Sequence, residues 1–240
     1  TGWGQARAVP SVRVALVIGN TRYPAAPLRN AANDAWVMGK LLGEMGFNVV
    51  SVRDATRAEM QEAVAKTRAA LRGRDGVGLL YFAGHGMQLY WRNYLLPIDA
   101  APENASDVPG QAVEVGAVLD AFRTAGTRMN IVVLDACRDN PFGASASGKG
   151  LAPLDAPPGT FLAYATAPGN VAEDGTATEA NGLYTRCLIK ELQRTDAKVE
   201  EVFKRVRLHV RQASNGRQVP WESTSLEDDF VFASGQAARR

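Results

Sequence analysis

Histidine and cysteine are scarce in this chain: it holds two of each in 240 residues. Two cysteines do not make a disulfide framework, so covalent stapling is excluded as the main source of stability. No apolar run approaches the length needed to cross a bilayer. Neither sign of charge dominates, with 27 Lys and Arg against 25 Asp and Glu. The basic residues are scattered, so nothing suggests a nucleic-acid or membrane partner. No glycine-rich phosphate loop follows the first strand-like run, which disfavours a flavodoxin-like binding domain. The first residues, Thr1 to Arg7, lack an initiator Met and a secretory pattern, and read as the trimmed or processed end of a longer protein.

What is present suits one large domain. Hydrophobic residues make up 46% and charged residues 22%, enough to build a core around a sheet. Strand-like and helical patterns alternate, which predicts an α/β fold with a mainly parallel sheet. Strands are expected at 12–18, 47–52, 77–83, 129–136 and 160–165, with a short last one at 230–232. Helical spacing runs over 30–44, 56–71, 115–123, 183–193 and 199–212. Thr56 and Glu59 form a capping-box pattern at the start of the second helix. Residues 87–98 read as a small hairpin.

One histidine and one cysteine stand where chemistry gathers in such a fold, at the carboxyl ends of strand-like runs. His85 closes the run 77–84 and lies between two glycines; Cys137 closes the run 131–136. A base and a thiol brought to one sheet edge are the minimum kit for thiol nucleophilic catalysis. The imidazole would take the thiol proton and later protonate a leaving amine. Main-chain N–H groups of Gly86 and Cys137 are the expected oxyanion donors. Cys187 falls in a helical pattern and reads as a buried, inert thiol. His209 reads as structural, a ring near a helix end, and so do Trp36 and Trp221.

Three motifs carry a family resemblance: Phe82-Ala-Gly-His85-Gly, Leu134-Asp-Ala-Cys137-Arg-Asp and Phe161-Leu-Ala-Tyr-Ala-Thr-Ala-Pro-Gly169. Together they resemble the His, Cys and substrate-strand motifs of caspase-like peptidases, most closely the bacterial metacaspase (orthocaspase) branch. The His precedes the Cys by about 50 residues, as in caspases. The resemblance covers about residues 11–232. It implies a single caspase-like three-layer sandwich, a mainly parallel central sheet flanked by helices. The large part would span about 11–142, a flexible linker about 143–158, and the small part about 159–232.

The resemblance also implies an activity: a cysteine endopeptidase that cuts after Arg or Lys through an acyl-thioester. Asp135 stands where animal caspases carry Gln, and alternates with Cys137 on a strand, so both can face one cleft. Asp34 matches a second acidic pocket position of the metacaspases, although an acid in the first turn of a helix also suits the helix dipole. Ala165, Thr166 and Ala167 match the segment that binds the substrate backbone, by strand addition to an open edge. Asn181 and Gly182, just beyond, read as ordinary turn residues. Lys149, in the linker, is the expected self-cleavage site. The neighbouring Gly143 to Gly150 run approaches a P-loop but lacks its final Ser or Thr and its flanking strand and helix.

No cofactor is required by this chemistry. Calcium activation stays open: Asp99 matches one ligand, with Glu103, Asp107 and Glu114 at loose spacing nearby. The expected partner is a peptide or protein with a basic residue before the scissile bond. A catalytically silent regulatory or scaffolding module is the alternative. Oligomeric state is not legible, and the resemblance places the chain in a bacterial cytoplasm or periplasm without deciding between them.

Overall fold

The computed structural model describes residues 12–138, 151, 154–167, 172, 179–194 and 196–232; for Cys137 and Arg138 it describes the backbone. The alternation seen in the sequence is realised as β1 (Arg13–Gly19), α1 (Ala31–Glu44), β2 (Asn48–Arg53), α2 (Arg57–Leu71), β3 (Val77–Leu89) and β4 (Arg92–Leu95). There follow α3 (Val108–Gln111), β5 (Val113–Glu114), α4 (Val115–Thr124), β6 (Met129–Arg138) and β7 (Thr160–Tyr164). The chain then forms α5 (Leu183–Leu192), α6 (Val199–Ala213) and β8 (Trp221–Thr224). The sheet order is β2-β1-β3-β6-β7-β8, parallel throughout except for β8.

Helices cover both faces, because strands buried on both sides need two apolar partners. On one face Val17, Tyr81, Val133 and Phe161 pack with Met38 of α1, Leu188 of α5 and Phe203 of α6. On the other, Leu16, Phe82, Leu134 and Leu162 pack with Met60 of α2 and Phe122 of α4. The capping box of α2 forms as its sequence predicts: the Thr56 side chain accepts from the Glu59 N–H, and Glu59 reaches back to the Thr56 N–H. No helix among the described residues is long and apolar enough to cross a membrane.

The structure differs from the sequence reading in four places. The third strand does not stop before Gly84 but runs on to Leu89, so His85 and Gly86 lie inside it. Its two glycines serve close packing in extended backbone, not a turn. A Cβ on Gly84 would lie 2.6 Å from the Tyr23 hydroxyl, and one on Gly86 3.1 Å from the Ala136 Cβ. The last strand is β8 and not 230–232, where Val231 makes a lone bridge to Lys198; its polar, four-residue sequence carries no alternation strong enough to read. The end of the expected flexible linker is packed: Leu151 is buried, and the Ala156 N–H donates to the Ser223 Oγ at 3.2 Å. Finally, His209 faces a neighbouring helix, its Nδ1 3.0 Å from the Oε1 of the fully buried Glu191 on α5.

Gly19, at the end of β1, shows how tightly the sheet and α1 meet. A Cβ there would lie 2.4 Å from both the Ala31 carbonyl oxygen and the Ala35 Cβ. Backbone cannot yield as a flexible side chain does, so Gly19→Ala is expected to destabilise the fold by about 2–3 kcal/mol. Gly43, inside α1 with open space around it, gives the opposite sign: Gly43→Ala is expected to stabilise by about 0.5–1 kcal/mol. Urea midpoints at unchanged slope measure both.

Candidate active site

His85 sits where β3 changes partners. Up to Ala83 the strand pairs with β1; from Gly86 it pairs with β4, antiparallel. In the gap, the Asn20 N–H still donates to the Ala83 carbonyl at 2.9 Å, and the Leu96 N–H donates to the His85 carbonyl at 2.9 Å. The loop after β1 then folds over the ring. The Ala26 carbonyl lies 2.6 Å from His85 Nε2. A carbonyl only accepts, so the neutral imidazole carries its proton on Nε2 and keeps its lone pair on Nδ1. Nδ1 is buried and has no hydrogen-bond partner among the described residues. A buried acceptor left open in this way is what a general base requires.

Across the ladder, the register pairs His85 with Cys137 and Gly86 with Arg138. Adjacent strands lie about 4.8 Å apart, so the two backbones are immediate neighbours. By alternation, position 137 shares its sheet face with Ile131, Val133 and Asp135. Gly86 also stands opposite Leu95 of β4. The sequence therefore delivered its histidine and cysteine to the same rung of neighbouring strands.

The acidic residues meet at the amino end of α5. Asp34, buried in the first turn of α1, accepts from the Asn181 side-chain amide at 2.7 Å and from the Gly182 N–H at 3.2 Å. Asp135 accepts from the Thr185 hydroxyl at 2.7 Å. Thr185 has one hydroxyl proton and gives it to Asp135, so the contact between Thr185 and Tyr81 has Tyr81 donating. Burial pushes the Tyr81 hydroxyl well above its ordinary range, and Asp34 and Asp135 push it further. Burial does the same to Tyr184, with Asp135 adding to it. Both phenols stay neutral, and the negative charge of this hollow belongs to the carboxylates. Asp34 thus serves a helix amino end as its position suggested, and that end is the one of α5 as well as its own.

The expected substrate segment is not an open edge. β8 flanks β7, the Ala165 carbonyl accepts from the Gln218 side chain at 2.8 Å, and the Ala167 N–H donates to the Val219 carbonyl at 2.7 Å. Ala165 and Thr166 are buried. A short antiparallel strand some 60 residues later in the chain takes this edge, which no local pattern could announce. Lys149 lies outside the described residues. Of the loosely spaced acids, Asp99 accepts from the Arg57 N–H at the start of α2, Asp107 caps a short 3-10 turn and Glu114 pairs with Arg92. No group of three or more metal-ligating side chains occurs among the described residues. Burial raises the Cys187 thiol above its ordinary value, with Arg186 and Lys190 pulling the other way, as suits an inert core sulfur.

Sequence reasoning missed four residues of this site. Tyr23 and Ala26 lie in a loop without periodicity, and Asn181 and Thr185 were passed over as a turn residue and a helix residue. The one available signal was polar side chains, Asn181 and Thr185, at a helix start.

The sequence is also similar to known proteins. The Caspase domain family matches residues 12–231. Among curated proteins, the chain is 34% identical over 127 residues to the human "Mucosa-associated lymphoid tissue lymphoma translocation protein 1", and equally to its mouse homolog. Those alignments cover 52% of this chain and 15% of each relative. The matched region is thus a small part of those proteins. With a match over nearly its whole length, its three-layer α/β sheet and its paired His and Cys positions, the chain belongs to the caspase-domain family of cysteine peptidases.

Proposed function

We propose that the chain is a cysteine endopeptidase of metacaspase type, cutting peptide bonds after Arg or Lys with a His85/Cys137 dyad. The observation that carries the reading is the shared rung of His85 and Cys137, with the lone pair of Nδ1 left open beside it. In the proposed reaction Nδ1 takes the thiol proton and the Cys137 thiolate attacks the scissile carbonyl. The N–H groups of Gly86 and Cys137 hold the oxyanion. Nδ1 then gives its proton to the leaving amine, and water, deprotonated by the same nitrogen, hydrolyses the thioester. The Ala26 carbonyl takes the place of a third catalytic carboxylate in orienting the ring. Asp34 and Asp135 receive the basic side chain, for which a carboxylate is the natural bidentate partner.

The test is hydrolysis of fluorogenic peptides ending in Arg, Lys or Asp, with and without Ca²⁺, beside Cys137→Ala. Turnover of the Arg and Lys peptides, lost in Cys137→Ala, is the expected result. Turnover of Asp but not Arg would refute the acidic pocket, and silence under every condition would favour a scaffolding module.

A further inference from the structure

The loop between β1 and α1 does more than offer one carbonyl. We propose that Tyr23 is a positioning residue that keeps the His85 backbone and ring in register with the Ala26 carbonyl, and through that carbonyl fixes the ring's orientation and tautomer; the link to catalysis rests on the peptidase reading above. Where β1 leaves the sheet, the His85 N–H loses its ladder partner. The Tyr23 hydroxyl replaces it, accepting from the His85 N–H at 2.9 Å and donating to the Leu96 carbonyl at 2.9 Å. Since the Leu96 N–H donates to the His85 carbonyl, the hydroxyl closes a ring of hydrogen bonds around the histidine backbone. It acts as one rung of a missing strand.

The same residue meets the imidazole. The two rings stand 4.4 Å apart, centroid to centroid, inclined at 54°. Three residues further on, the Ala26 carbonyl accepts from Nε2. One loop therefore holds the backbone, the ring face and one ring nitrogen of His85, leaving Nδ1 free to work. That hold is useful only if the loop is stiff, and it is tied down at its start. The Asp54 carboxylate accepts from the Thr21 N–H at 2.7 Å, the Arg22 N–H at 2.9 Å and the Arg22 Nε at 2.8 Å. Burial raises the Asp54 carboxyl, but these donors and the Arg22 charge outweigh it, so its pKa falls below the ordinary value and the clamp is charged at neutral pH. The Thr21 Oγ accepts from the Ala32 N–H at 2.7 Å, tying the loop to α1.

Tyr23→Phe removes the hydroxyl and keeps the ring, whereas Tyr23→Leu removes both. With the chain holding two histidines, the imidazole ¹⁵N spectrum is simple, and His209→Gln assigns it. The wild-type chain is expected to show His85 as the Nε2–H tautomer, and Tyr23→Phe a mixture of tautomers. With Arg peptides, kcat is expected to fall about 10–100-fold in Tyr23→Phe at nearly constant KM, since a small misplacement of a reacting group costs about that much; Tyr23→Leu falls further. Should Tyr23→Phe not fold, Asp54→Ala, which loosens the same loop from outside, must show the same mixed tautomers. An unchanged tautomer and kcat in folded Tyr23→Phe would overturn the proposal. The spectrum decides this even if no peptide is cleaved, so failure of the peptidase reading is told apart from failure of the positioning role.

Discussion

His85→Ala is expected to lower Arg-peptide turnover by about 10³-fold or more while KM stays near its original value. The ring nitrogen that would take and return the proton has no second imidazole to replace it on β3 or β6, since the chain's other histidine, His209, belongs to α6. Residues that act as one unit also lose nearly everything when either is removed. The double variant His85→Ala with Cys137→Ala should therefore be scarcely slower than either single change. Far-UV circular dichroism should remain that of the parent, because β3 keeps its ladder with β1, β4 and β6 through main-chain groups. Additive losses in the double variant would mean that the two residues do not act as a dyad.

Asp135→Asn is expected to reduce kcat/KM for Arg peptides by about 10²–10³-fold, the cost of leaving a buried cation without its partner. Its effect should be confined to recognition. Asn keeps an oxygen for the Thr185 hydroxyl, so the relay from Tyr81 through Thr185 survives. Asp34→Asn should show the same loss of selectivity and also lower the unfolding free energy by about 1–2 kcal/mol, read from the urea midpoint at unchanged slope. The difference lies in what each carboxylate holds. Asp34 accepts from the main chain at Gly182 and from the Asn181 amide, so it supports the amino end of α5; Asp135 accepts from the Thr185 hydroxyl, a side chain. If both variants keep their preference for Arg over an uncharged residue of similar length, the hollow is a structural cap and the basic side chain binds elsewhere.

These expectations differ in how far they could be drawn from the sequence. His85 and Cys137 stood out because rare reactive residue types ended apolar runs, and the capping box of α2 was legible because two residues three positions apart suffice to write it. The end of β3 was misread because glycine normally marks a turn; only the approach of Tyr23 and Ala136 shows why Gly84 and Gly86 sit in extended backbone. Asn181 looked like any turn residue until Asp34, 147 positions earlier, was found against it. Trp221 and its neighbours looked irregular because β8 is short and half polar, and owes its form to β7.

The sequence by itself determined the alternating elements, the two apolar faces of the strands and the place of one histidine and one cysteine at the ends of apolar runs. Those features are written in periods of two and 3.6 residues, within reach of local sterics. The tertiary structure alone decided that β3 and β6 are neighbours, that a carbonyl 59 positions before His85 holds its ring, and that two distant carboxylates share one helix end. Hydrogen bonds between remote segments depend on how whole layers pack, and a chain carries no local mark of the partner it will meet.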